Sequence, residues 1–371
     1  MKNQEILHQP YTLGSLVLKN RFVMAPMTRS RAINNLPNDL MVEYYRQRSG
    51  AGLIISEALA PSANATGYVR VPGIYKDAQI EGWKKITDVV HENDAKIFAQ
   101  LMHTGWASHV DNLPEGGEIL APSALVSTGS EVWTDTTKSM QKSSLPREMT
   151  KADIEATIQE FTQAALNAVK AGFDGIELHG ANGYLLDEFL NPASNHRTDE
   201  YGGSIENRAR FYLEVTQSVA NAIGKEKVGT RISPYGVFNG MVIYPEMEET
   251  FIYLAAELNK IGIVYLHVAD HSSMGTPPLT ASVKDGIRAN FKGTLIGVNN
   301  YTAETALADI ESGYLDLPAF GRAFIANPDL PSRILNNLPL NEPDKTTLYA
   351  SGSTDEKGYT DYAFAGEVIS K

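Results

Sequence analysis

Short apolar runs alternate with amphipathic stretches along most of the chain. The runs fall at 22–25, 53–56, 97–101, 175–178, 228–232, 264–268, 294–297 and 317–320. They lack the polar alternation of a sheet with one wet face, so they predict strands buried on both sides of a parallel sheet. The stretches between them have a helical period. Phe211, Val215, Val219 and Ile223 repeat every fourth residue, and Phe251, Leu254, Ala255 and Leu258 fall at i, i+3, i+4 and i+7. Thr150 stands as a cap before Ile154, Ile158, Phe161 and Ala165. Gly172, Gly262 and Gly313 each follow a helical stretch and precede a strand, where a left-handed residue closes a helix. Eight strands linked by helices predict a (β/α)8 barrel, one domain spanning 1–371. An open doubly wound sheet is the alternative, but no GxGxxG follows the first strand.

Two stretches exceed a minimal barrel. Residues 12–18 read as a hairpin turning at Gly14-Ser15, placed to plug the bottom of the barrel. Residues 105–149 form a long polar insertion after the third strand. Such an insertion emerges at the catalytic end, and we expect it to act as a lid.

Composition narrows the chemistry. No run approaches the ~18 apolar residues of a membrane helix, and residues 1–10 lack the apolar core of a leader. The formal charge of −12 disfavours nucleic acid and anionic membranes as partners. An anionic ligand therefore needs its own cationic pocket. With no Cys, disulfides, thiolate catalysis, zinc–thiolate sites and iron–sulfur clusters are excluded. The expected location is cytoplasmic, with no obligate protein partner.

Barrel active sites lie at the C-terminal strand ends. Those ends carry Pro26-Met27-Thr28, Glu57-Ala58, Gln100, His179, Arg231, Asp270, Asn299-Asn300 and Gly321-Arg322. No strand ends on Lys, which argues against a Schiff-base aldolase. A metal-dependent hydrolase remains as an alternative on His103, His179, His267 and Asp270, although no strand carries His-x-His. Asn299, Asn300, Gly321 and Arg322 end the last two strands, where barrels commonly hold a phosphate. His179 and Asn182 share a face if a helical turn begins after the strand, so two donors can converge on one oxygen. Tyr184 follows with a phenolic proton to give.

These residues resemble the old yellow enzyme family of FMN-dependent ene-reductases, from about Tyr11 to Phe364. The resemblance rests on NRFVMAPMTRSRA from Asn20, Gln100, the 179–184 segment and NPASNHRTDEYGGSIENR from Asn191. It continues through GTRISP around Arg231, GRAFIANPDL from Gly321, and Tyr349 with GYTDY from Gly358. It implies non-covalent FMN across the barrel mouth, reduced by NADPH or NADH in a ping-pong cycle. Thr28 tunes the flavin; Pro26, Met27 and Ala58 line its ring; Gln100 and Arg231 meet its pyrimidine; Asn299, Asn300, Gly321 and Arg322 hold its phosphate. It further implies that His179 and Asn182 grip the carbonyl oxygen of an activated alkene. Reduced flavin then gives hydride to the β-carbon and Tyr184 protonates the α-carbon. Tyr68, Met102, Asn239 and Tyr349 are implied pocket walls. Thr28 in place of Cys aligns the chain with the Thr-type branch. Met102 stands where many relatives have Trp, and Trp106 where many have Arg; we read Trp106 as core.

Overall fold

The computed structural model describes residues 4–349 and 354–366; the ends of the predicted 1–371 domain lie outside them. Eight parallel strands close into a barrel. They are β1 (Val23–Met24), β2 (Leu53–Leu59), β3 (Lys96–Leu101), β4 (Gly175–His179), β5 (Val228–Ile232), β6 (Tyr265–Ala269), β7 (Thr294–Val298) and β8 (Leu317–Phe320). Closure through β8, where Ala319 pairs with Val23, removes the open-sheet alternative. The helices between the strands include α1 (Asp39–Arg48), α2 (Asp77–His91), α3 (Lys151–Lys170), α4 (Leu185–Leu190), α5 (Ile205–Ile223), α6 (Met247–Ile261), α7 (Ala281–Asn290), α8 (Ala303–Glu311) and the short α9 (Arg322–Ala326). Thr150 caps α3 by accepting from the Asp153 amide. Gly172, Gly262 and Gly313 all have positive φ, as helix closure requires. No helix among the described residues is long and apolar enough to cross a membrane.

The strand boundaries depart from the sequence reading at two places. β1 is only two residues long. β2 runs on to Leu59 through a register shift between Ile55 and Ala58, so Glu57 lies inside the strand rather than at its end. The Glu57 amide leaves the ladder there and donates to the Tyr45 hydroxyl at 2.9 Å. The shift is therefore hydrogen-bonded and not a break.

The barrel interior shows why the strands read as unbroken apolar runs. Outward residues such as Leu178 and Leu266 pack against the helices. Inward residues low in the barrel are also apolar: Val23, Leu53, Phe98, Tyr265, Ile296 and Leu317 form one cluster. The rings of Phe98 and Tyr265 lie 5.6 Å apart. They fit because Gly175 and Gly229 stand beside them; a Cβ at either glycine would overlap a ring. Leu13 and Leu18 of the N-terminal hairpin (Tyr11–Leu13 with Leu16–Leu18) join this cluster and close the lower end. One layer higher the inward residues turn polar: Gln100, Glu177, Arg231 and His267.

The 105–149 insertion contains a two-residue parallel pairing of Leu120–Ala121 with Arg147–Glu148 and an antiparallel hairpin, Glu131–Thr134 with Ser139–Lys142. Arg70, in the connection after β2, forms an ion pair with Asp135 at the hairpin's turn. Asp135 also accepts from Trp133 Nε1 at 3.0 Å.

A second polar region lies between α1 and two late stretches, 347–349 and 357–363. Arg29, Arg31 and Arg48 are completely buried there. Arg48 donates to the carbonyls of Tyr44, Phe324, Ile325 and Tyr359 and to the Gln47 side chain. Its guanidinium stacks 3.8 Å above the Tyr44 ring, which itself stacks on Tyr359 at 4.1 Å. Arg29 and Arg31 donate to the carbonyls of Thr347, Leu348, Lys357 and Gly358. The TRSRA motif thus fastens the GYTDY segment.

Candidate active site

Parallel register sets the polar layer. Gln100 pairs with Glu177 across β3 and β4. His179 stands beside Arg231, and Arg231 beside His267. Glu177 is fully buried and accepts from Gln100 Nε2 at 2.8 Å and from His267 Nδ1 at 2.9 Å. The Arg231 guanidinium is near enough to feel the charge of Glu177. It is buried, its Nε has no protein partner, and desolvation lowers its pKa. A buried cation with an open donor is an unfilled demand for an anionic or carbonyl-bearing ligand.

Above the polar layer opens a cavity of about 480 Å³, within the usual range for small-ligand sites. Its floor carries Pro26, Met27, Thr28, Gln100 and Arg231. Its walls carry Tyr68, Met102, His179, Asn182, Tyr184, Asn239 and Tyr349. A smaller cavity of about 110 Å³ adjoins it, sharing Pro26, Met27, Arg231 and Tyr349 and reaching Asn300, Gly321 and Arg322. Of the residues singled out from sequence, Ala58 and Asn299 line neither. Ala58 is buried opposite Gln100 in the β2–β3 ladder. Asn299 is half-buried just past β7. Trp106 is also outside the cavity; it packs with Ala107, Ala121 and Met241. His103 is a buried structural histidine, accepting from the Gly105 amide at 3.1 Å. Desolvation holds it near pKa 4.

His179, Asn182 and Tyr184 meet by a route other than the one expected. No helical turn begins after β4. Asn182 has φ +62°, and α4 starts only after Tyr184. A tight turn of residues 180–183 carries Asn182 back over the strand end. Its backbone is held on both sides: the amide donates to Ser233 Oγ and the carbonyl accepts from Asn239 Nδ2, each at 2.9 Å. The ring of His179 meets that of Tyr184 edge-on at 4.8 Å. Its Nδ1 is buried without a protein partner. Burial, reinforced by Arg231, holds the imidazole well below the ordinary histidine range, so it is neutral at pH 7. Burial raises the Tyr184 pKa, so its phenol keeps its proton. Tyr68 donates to the Tyr184 hydroxyl at 3.2 Å, which leaves the Tyr184 hydrogen free to be given away.

Other cavity residues were not apparent from sequence. Val132, Trp133 and Met140 come from the hairpin of the insertion, and Phe238, His271 and Met274 from the loops after β5 and β6. The sequence reading stopped at Asp270, one residue short of His271. Asp270 itself lines the smaller cavity and accepts from the Ser272 amide at 2.8 Å. The hydrolase alternative finds no support: no group of three His, Asp or Glu side chains that could hold a metal ion occurs among the described residues.

The fold agrees with that of solved relatives. A probable flavin mononucleotide-dependent alkene reductase of Leishmania infantum is 40% identical, over 98% of each chain. A structure of morphinone reductase in complex with tetrahydroNAD superposes with a TM-score of 0.92 at 43% identity, covering 98% of this chain and 99% of that one. The old yellow enzyme homologue from Zymomonas mobilis gives 0.91 at 39% identity, covering 96% and 99%. Residues 6–341 match the family's own sequence pattern, and the chain belongs to the NADH:flavin oxidoreductase / NADH oxidase family.

Proposed function

We infer that this protein is an FMN-dependent ene-reductase that takes reducing equivalents from NADH or NADPH and saturates the activated C=C bond of α,β-unsaturated carbonyl or nitro compounds. The observation that carries this reading is the convergence of a neutral His179, the Asn182 amide and a protonated Tyr184 on one cavity whose floor holds an unsatisfied arginine. The relatives named above support it.

The residues present fit FMN. The Arg231 guanidinium, which lines the cavity without a protein hydrogen-bond partner among the described residues, suits an electron-rich ring edge or the negative charge of a reduced flavin. Pro26, Met27, Thr28, Ala58 and Gln100 would line the ring, and Thr28 makes this a Thr-type member. Asn299, Asn300, Gly321 and Arg322 would hold the phosphate at the smaller cavity; Arg322 supplies there the positive charge that a −12 protein otherwise lacks. Bound FMN supplies the hydride chemistry, oxidised and reduced by turns in a ping-pong cycle.

The chain's own residues do the rest. His179 and Asn182 donate to the substrate's carbonyl or nitro oxygen and stabilise the charge that develops on it as the β-carbon is reduced. Tyr184 gives its proton to the α-carbon. The hairpin of the 105–149 insertion, with Val132, Trp133 and Met140 facing the cavity, acts as a lid that keeps water out. The location we propose is the cytoplasm.

The test is an anaerobic visible spectrum of the purified protein. A flavin band that bleaches with NADPH and returns with cyclohexenone carries both half-reactions. A protein that neither carries nor takes up FMN sinks the reading.

A further inference from the structure

His271 stands where the two cavities meet and lines both. It comes from the loop after β6, two strands away from Asn182 at the end of β4. Its Nε2 nevertheless lies 2.7 Å from Asn182 Oδ1. Phe238 meets the imidazole in a T-shaped contact, with ring centroids 4.7 Å apart at 79°. Burial, aided by the Arg231 charge, holds His271 near pKa 3, so it is neutral at pH 7.

A neutral imidazole has one N–H. With Asn182 Oδ1 toward the ring, as in this structure, the oxygen accepts and the proton sits on Nε2. An asparagine amide can rotate to present either its oxygen or its NH2 to the cavity. Presenting the oxygen would repel a substrate carbonyl and abolish the clamp. The backbone of Asn182 is fixed by Ser233 and Asn239, but those bonds leave the amide orientation free. In the Nε2–H tautomer the bond from His271 removes that freedom. With Oδ1 engaged, Nδ2 is the end left for a ligand, and it has no protein partner among the described residues.

We propose that His271 is a positioning residue: by donating from Nε2 to Asn182 Oδ1 it locks the Asn182 amide with its NH2 toward the ligand oxygen, so that the oxygen clamp is built from three residues rather than two. The proposal rests on Asn182 acting as part of that clamp. It assigns the β6 loop a part in recognising every oxygen-bearing ligand of the site, and gives a role to a half-buried histidine that stands between two cavities.

The test is a double-mutant cycle read by calorimetric binding of 4-chlorophenol to the oxidised, FMN-loaded protein. His271→Leu keeps the bulk and loses the donor; its affinity should fall about fivefold to tenfold, the worth of one orienting hydrogen bond. His271→Gln, which can still donate, should recover most of that loss. In an Asn182→Ala background, His271→Leu should change affinity by less than about twofold, because the path through Asn182 is already gone. FMN content and thermal unfolding of each variant separate collapse of the loop from loss of orientation. Should His271→Leu prove unable to fold, His271→Gln against His271→Met carries the same comparison. An equal loss in both backgrounds, or no rescue by Gln, overturns the positioning role. If Asn182→Ala alone leaves phenol affinity unchanged, the clamp itself is wrong and the proposal falls with it. If Asn182→Ala weakens phenol and His271→Leu does not, only the proposal falls.

Discussion

Arg48 and Arg231 are both buried guanidiniums in a protein of net charge −12, and desolvation lowers the pKa of each. Their surroundings differ. Arg48 is met on every side by carbonyls and by the Tyr44 ring. Arg231 feels the charge of Glu177, lines both cavities, and makes no side-chain hydrogen bond to the protein among the described residues. The chain completes the first charge itself and leaves the second for a ligand to complete. The first is frame, the second is site. Burial and charge alone would not separate them; the hydrogen-bond inventory does.

That contrast is most open to attack at Arg48. Arg48→Met should lower the unfolding free energy by about 3–5 kcal/mol, because it strands several buried carbonyls; denaturant unfolding reads it, and a loss under about 1 kcal/mol would end the distinction. On the cavity side the effect should fall on chemistry. Tyr184→Phe should slow alkene reduction about 100-fold or more, as loss of a general acid does. It should leave flavin reduction by NADPH, and stability, nearly unchanged. Stopped-flow traces of the two half-reactions decide this, and an equal loss in both removes Tyr184 from proton delivery. Arg231→Met should weaken FMN binding to the apoprotein about 10- to 100-fold while costing the apoprotein clearly less stability than Arg48→Met does. A fluorescence titration alongside an unfolding curve tests both halves, and a strongly destabilised apoprotein would move Arg231 into the frame.

The smallest effect sharpens the frame side. Burial raises the Glu57 carboxyl from 4.5 to about 7, against the opposing pull of Arg29 and Arg31. The native state therefore holds a proton there that the unfolded state has released. Its contribution to stability is full below 4.5 and is lost as pH rises through about 7. Glu57→Gln should flatten the wild-type decline in stability across that window. Parallel pH profiles for the two proteins would show that Glu57 is ionised throughout, neutralised by the arginines.

Much of the fold was legible because parallel barrel strands are apolar on both faces, and the eight runs stood out without alternation. β1 was read too long because Phe22 and Ala25 are as apolar as the two residues that pair. β2 was read too short because Ser56 and Glu57 are polar, yet a hydroxyl and an amide from neighbouring elements accommodate them. His179, Asn182 and Tyr184 were legible as a set at a strand end, although the turn that unites them requires a left-handed Asn182 that spacing does not reveal. His271 was missed because it lies beyond its strand in a loop without a period. Trp133 and Met140 were missed because nothing local says that a polar insertion folds its apolar edge back over the barrel. The partners of Arg29, Arg31 and Arg48 are main-chain carbonyls far along the sequence, and a carbonyl leaves no mark on residue identity.

The distance between those partners has a consequence for synthesis. Arg29 is made 319 residues before the Leu348 carbonyl that it holds, and Arg48 waits 311 residues for that of Tyr359. Through most of translation the three arginines have none of the late acceptors that make their burial tolerable. The segment that meets them also brings Tyr349 to the rim of the cavity. A growing chain can therefore close its barrel before it can finish its ligand site, and a fragment lacking residues 347–363 should emerge with a wet, loosened α1 and little hold on flavin.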